Sequence, residues 1–361
     1  MPSRSQTEIV GWLGLSDLAG LFSRKFVVGF FIPVFFASLA WAQLVDSRTM
    51  PGVYRDASKG TQILVLGGFA VLVGYLLSGV HYSAVRFLEG YWLQAPSIPP
   101  PPDLAITKAG RTFVRTRSRM TAPLVNARYR LGDRMRQRWV REFRWLSELD
   151  RAPEVSPQRT AASRRLNSEF PAQEANLLPT RFGNVIRSFE TYPRQRYSLD
   201  GIAAWPRIAT LLSDGERTEL EDATTDLAFW LNWLLSVTVS GVALFAERLW
   251  HRPGGVFATI GVELAVIAAT TLLATWMYRQ SISAAARWGQ PVRAGFDMHR
   301  LGLYETLGLR APLTQEQEQE NARAIGRLVA FGERLPDQTR VAAGSSDEHE
   351  KTPGPGPATS N

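Results

Sequence analysis

FVVGFFIPVFFASLAWAQLV, residues 26–45, runs twenty positions without a charge. At about 1.5 Å per residue, a helix of that length covers the ~30 Å hydrocarbon layer of a bilayer. A helix buried in a soluble core ordinarily keeps a polar face, and this one has almost none. Three further apolar blocks have a similar length: QILVLGGFAVLVGYLLSGVHY (62–82), LAFWLNWLLSVTVSGVALFA (227–246) and VFATIGVELAVIAATTLLATWMY (256–278), the last interrupted by Glu263. Trp41, Tyr82, Trp230, Trp233, Trp250, Trp276 and Tyr278 stand near their ends, where amphipathic rings settle at the membrane–water boundary. The pattern predicts an all-α integral membrane protein with four transmembrane helices, paired as two hairpins, and a helical cytoplasmic region.

Arg24 and Lys25 abut the first block, and Arg279, Arg287 and Arg293 follow the fourth. By the excess of basic residues at those ends, the N-terminus, the central region and the C-terminus lie in the cytoplasm. The implied order is an N-terminal segment (1–25), spans at 26–45 and 62–82, and a central region (95–226). Spans at 227–246 and 256–278, cytoplasmic helices (291–335) and a polar, Pro/Gly-rich disordered tail (336–361) follow. The second span is expected to continue as a helix to about 94 and the fourth to about 290. AWA at 40–42 resembles a signal cleavage site, but the long segment before it favours an anchor.

The mean hydropathy of -0.11 averages these blocks with strongly polar sequence. A formal charge of +8 points to anionic partners. The absence of cysteine excludes disulfides, thiolate metal sites and thiol catalysis. The four histidines are too dispersed for metal-ligand spacing, and no Ser-His-Asp, Walker or HExxH pattern occurs. No metal, cofactor or catalytic residue is therefore assigned.

The basic surplus concentrates between 111 and 151, with twelve arginines against Asp133, Glu142, Glu148 and Asp150. There Leu124, Leu131, Met135, Trp139, Phe143, Leu146 and Leu149 trace the apolar stripe of an amphipathic helix. Such a helix packs its stripe inside a bundle or docks on anionic lipid. Nucleic acid is the weaker partner, because no recognition motif is present.

LLPTRFGNVIRSFETYP, 177–193, reads as a helix capped by Thr180. Leu178, Phe182, Val185, Ile186, Phe189 and Tyr192 form its apolar face, and Pro193 is expected to stop it. Gly183, costly in a helix, suggests close packing. Arg181 and Arg187, with Arg207 downstream, are the candidate lipid- or ligand-binding side chains. In DGERTELEDATTD (214–226), Asp214 is the expected cap of the third span. Inside the membrane Glu263 is the titratable residue; it needs a partner or a proton there. It serves either an interhelical contact or a proton or cation passage.

LPTRFGN, RYSLDG, AAWPR and FDMHRLGLYETLGLRAP (296–312) together resemble uncharacterised bacterial multi-pass membrane proteins. The resemblance covers roughly 177–312 and places the chain in a bacterial cell membrane. It carries no activity, ligand or catalytic residue. Three functions compete. The first is a non-catalytic membrane protein whose basic region binds anionic lipid or a protein partner, including another copy of itself. The second is an oligomeric ion or proton pathway using Glu263, and the third a membrane-attached enzyme with a dispersed site.

Overall fold

The computed structural model describes residues 23–45, 50–94, 108–250 and 256–335, with side chains throughout except at 53, 108–122 and 256–260. The N-terminal 22 residues, the prolines at 99–102 and the tail from 336 lie outside the described residues. Those that are described form helices joined by short turns, in an all-α fold. Among them are four helices long and apolar enough to cross a membrane. These are α1 (Arg24–Leu44), α3 (Lys59–Glu89), α9 (Asp214–Trp250) and, from Gly261 onward, α10 (Val256–Thr306). A short helix, α2 (Gly52–Arg55), sits between α1 and α3. Only 11% of the most apolar window is buried in α3 and in α10, against 33% in α1 and α9. The outward faces of α3 and α10 therefore expose Leu64, Leu72, Leu76 and Leu272, a surface suited to hydrocarbon.

The first span departs from regular helix for a reason legible in its chemistry. Pro33 has no N–H to give the Gly29 carbonyl. The chain forms a π-helical turn over Val27–Phe31, and the Gly29 oxygen instead accepts a hydrogen bond from Asn232 Nδ2 of α9 at 2.7 Å. Asn232 is buried, so one polar side chain in the third span resolves the backbone defect of the first. Ala228 lies beside it, where a Cβ on Gly29 would approach to 3.2 Å. Gly74 of α3 admits the Phe26 ring in the same manner. Gly241 of α9 leaves no room for a Cβ against Thr270 of α10.

The chain divides into two compact units. The first holds the four spans together with α4 (Lys108–Asp150), α5 (Pro157–Glu169) and α6 (Arg181–Glu190). Here Trp139, Phe143, Leu146 and Leu149 of α4 pack on Ala162, Leu166, Phe170 and Leu177. Leu124 and Leu131 do not join this core; they are 74% and 50% exposed. The stripe expected to run through both is thus covered only where α5 and the segment after it reach.

The second unit comprises 193–212 and the residues from 295 onward. It contains α8 (Gly201–Leu211), the end of α10 and α11 (Gln315–Phe331). Ile208, Phe296, Leu303, Tyr304, Leu309 and Ile325 are fully buried. Polar contacts rim this core: Tyr197 donates to Asp297 at 2.6 Å, and Arg300 to Glu318 at 2.9 Å.

Helix limits correct the sequence reading in four places. α3 ends at Glu89 rather than near 94, because Gly90 adopts a left-handed φ of 86° and caps it. α10 passes 290 and runs through Pro291 to Thr306, since an internal proline frees a single carbonyl while the turns on either side keep theirs. α6 stops at Glu190, and Pro193 lies in the first turn of the next helix, α7 (Tyr192–Tyr197), a position that proline's fixed φ suits. Finally, the cap of α9 is Ser213. Its Oγ accepts from Glu216 N at 3.4 Å, and the Glu216 carboxylate accepts from Ser213 N at 2.8 Å. That is the reciprocal arrangement of a capping box one residue before Asp214.

Candidate membrane-proximal site

The apolar part of α3 ends near Tyr82, and its last two turns carry Arg86, Leu88 and Glu89. Helix ends leave carbonyls without intrahelical donors. Here the Thr180 hydroxyl supplies one, 2.7 Å from the Leu88 oxygen and 3.0 Å from that of Glu89. The same Oγ1 accepts from Gly183 N at 2.9 Å and caps α6. The negative end of the membrane helix thereby meets the positive end of α6. Contact is close enough that a Cβ on Gly183 would overlap the Glu89 carbonyl oxygen. On the other side of α6, Asn184 is fully buried and clasps the backbone of Leu178, accepting at 2.7 Å and donating at 3.1 Å. Further along, Phe189 meets the Trp288 ring edge-on at 5.0 Å.

Around this joint lies a charged group that sequence reasoning missed. Glu89 is 2% exposed. Its carboxylate accepts from Arg86 at 3.2 Å, and the Arg86 guanidinium lies 3.9 Å over the Tyr91 ring. From α6, Arg187 donates to Glu190 at 3.2 Å, while the Arg187 Nε is buried without a partner among the described residues.

The predicted binding residues have different partners. Arg181 is engaged as a fork on Glu169, with contacts from 2.8 to 3.2 Å. Arg165 extends the chain of pairs to Glu142 at 2.6 Å and Glu169 at 3.3 Å, tying α4, α5 and α6 together. Arg187 belongs to the charged group around Glu89. Arg207 lies in the other unit and donates to the Ala203 carbonyl of its own helix. Glu263 is buried within the fourth span, 8% exposed.

α4 carries a basic surface. Arg130, Arg134, Arg138 and Arg141 are exposed, and none forms an ion pair with a described residue. Exposed Leu131 and Trp145 (57%) lie along the same side, spaced as one helical face requires. Against the opposite side, Gly132 sits so tightly on Leu93 that a Cβ would overlap the Leu93 oxygen. Arg136 and Trp139 secure that side too, donating to the carbonyls of Leu177 and Pro179 at 2.9 Å each. Among the described residues no three His, Asp or Glu side chains cluster to hold a metal ion. Compared with protein-family models, with curated proteins and with solved structures, the chain matches none.

Proposed function

We propose that this is a non-catalytic multi-pass membrane protein whose basic central region binds anionic phospholipid. In this reading the N-terminus, α4 to α6 and the C-terminus lie on the cytoplasmic side of a bacterial membrane. The supporting observation is the face of α4: four exposed arginines without carboxylate partners among the described residues, interleaved with exposed Leu131 and Trp145. Arginine forks match phosphate oxygens, and apolar side chains beside them enter the acyl boundary, the composition of an interfacial helix. The helix is also held by Gly132 to the segment leaving the second span, so the surface lies within a short reach of headgroups.

The chain contains no cysteine, so a single Leu131→Cys substitution can carry a polarity-sensitive fluorophore with no competing thiol. In nanodiscs containing anionic phospholipid and a headgroup-proximal spin-labelled lipid, the fluorophore is expected to be quenched. High salt should reverse this, because the attraction is screened within about a Debye length of 10 Å or less. Equal fluorescence in anionic and zwitterionic discs would defeat the proposal.

A further inference from the structure

The three spans α1, α3 and α9 enclose a cavity of about 460 Å³, within the roughly 300–1,000 Å³ range of small-molecule sites. Its wall includes Ala37 and Ser38 of α1, Val65 and Phe69 of α3, and Ser236 and Val239 of α9, and is almost wholly apolar. Pro51 and, from the short helix α2, Tyr54 roof it. That roof is fixed in place, since Gln62 Nε2 donates to the Tyr54 carbonyl at 3.0 Å. The side toward the bilayer stays open: Val65, Phe69 and Val239 are 50%, 51% and 66% exposed. An empty apolar cavity forfeits dispersion contacts along its wall, and water finds too few polar partners there to fill it. A hydrocarbon chain entering sideways from the surrounding lipid meets neither obstacle. Next to the roof in sequence, exposed Lys59 at the start of α3 forms no ion pair with a described residue, whereas Arg55 already holds Asp56 at 3.3 Å, so Lys59 is the cation left for a phosphate where the chain emerges.

We propose that this cavity is a lipid site holding one acyl chain of a bilayer phospholipid, with its phosphate at the rim beside Lys59. The site is separate from the α4 surface and does not depend on it. The test is to purify the full chain in mild detergent at high salt and to quantify the co-extracted lipids by mass spectrometry. Val65→Trp and Val239→Trp, on two different helices, fill the cavity. Leu64→Trp places the same ring on the neighbouring outward face, outside it. Wild type and Leu64→Trp are expected to retain about one phospholipid per chain, and both filling variants about tenfold less. Size-exclusion profiles establish which variants fold, and either folded filling variant suffices. Undiminished phospholipid in that variant, equal loss in Leu64→Trp, or recovery of an isoprenoid or no lipid from the wild type would each overturn the proposal.

Discussion

Replacing Gly183 by alanine is expected to destabilise the protein by about 2–3 kcal/mol, the upper part of the range for forcing a methyl group into filled space. The obstacle is the Glu89 carbonyl oxygen, part of a backbone and unable to rotate aside. Gly90 cannot easily retreat either: its left-handed φ of 86° ends the second span, and its own side faces Thr180. Moving α6 away instead would break the Thr180 hydrogen bonds to Leu88 and Glu89. Gly326 of α11 gives the opposite case, an intrahelical glycine with nothing within 4 Å of a built Cβ. Gly326→Ala should stabilise by roughly 0.5–1 kcal/mol through backbone entropy alone. Thermal unfolding of both variants in one detergent, followed by circular dichroism, compares the two. Equal shifts would mean that the joint between α3 and α6 is looser than its close contact implies.

The second large effect concerns α4. Substituting Arg134, Arg138 and Arg141 together by glutamine should weaken attraction to an anionic bilayer by about 1 kcal/mol each. Their sum of about 3 kcal/mol corresponds to a loss of roughly 100-fold in the partition constant. The measurement is a titration of anionic lipid mole fraction against quenching of the fluorophore at position 131. Arg144 and Arg181 provide the comparison, since each already holds a carboxylate, Glu174 at 2.8 Å and Glu169 at 2.8 Å. Changing those two should leave the titration midpoint nearly unmoved while loosening the packing of α4 and α6. If the paired and unpaired arginines contribute equally, net charge rather than the exposed face governs binding.

The spans were legible because an uncharged apolar run of about twenty residues matches the thickness of a bilayer and exceeds what a small soluble core can cover. Thr180 as a cap and Gly183 as a close contact were also readable, for local reasons: the first needs only three residues of sequence and the second only the cost of glycine in a helix. What Gly183 touches was not readable, because Glu89 is remote in the chain and joins it only in the folded state. Asn232 shows the same boundary. Pro33 has no N–H for the Gly29 carbonyl in the first span, and nothing in the sequence pairs that carbonyl with one amide in the third. The arginines divided similarly. Arg181 looked available for a ligand until folding brought Glu169 against it, whereas Arg134 and Arg141, equally basic in sequence, face outward. Sequence locates charge, and only packing decides which charges remain to be used.

The bond from Thr180 to Leu88 spans 92 positions of the chain. At about 5–20 residues per second, the ribosome needs roughly 5–18 seconds to make that stretch after Leu88 has been added. For that interval the final carbonyls of the second span lack the Thr180 hydroxyl as a partner. Its hold on the bilayer must come first from greasy length, and the brace at its end is a later event of biogenesis, closing only once the nascent polypeptide has delivered Thr180.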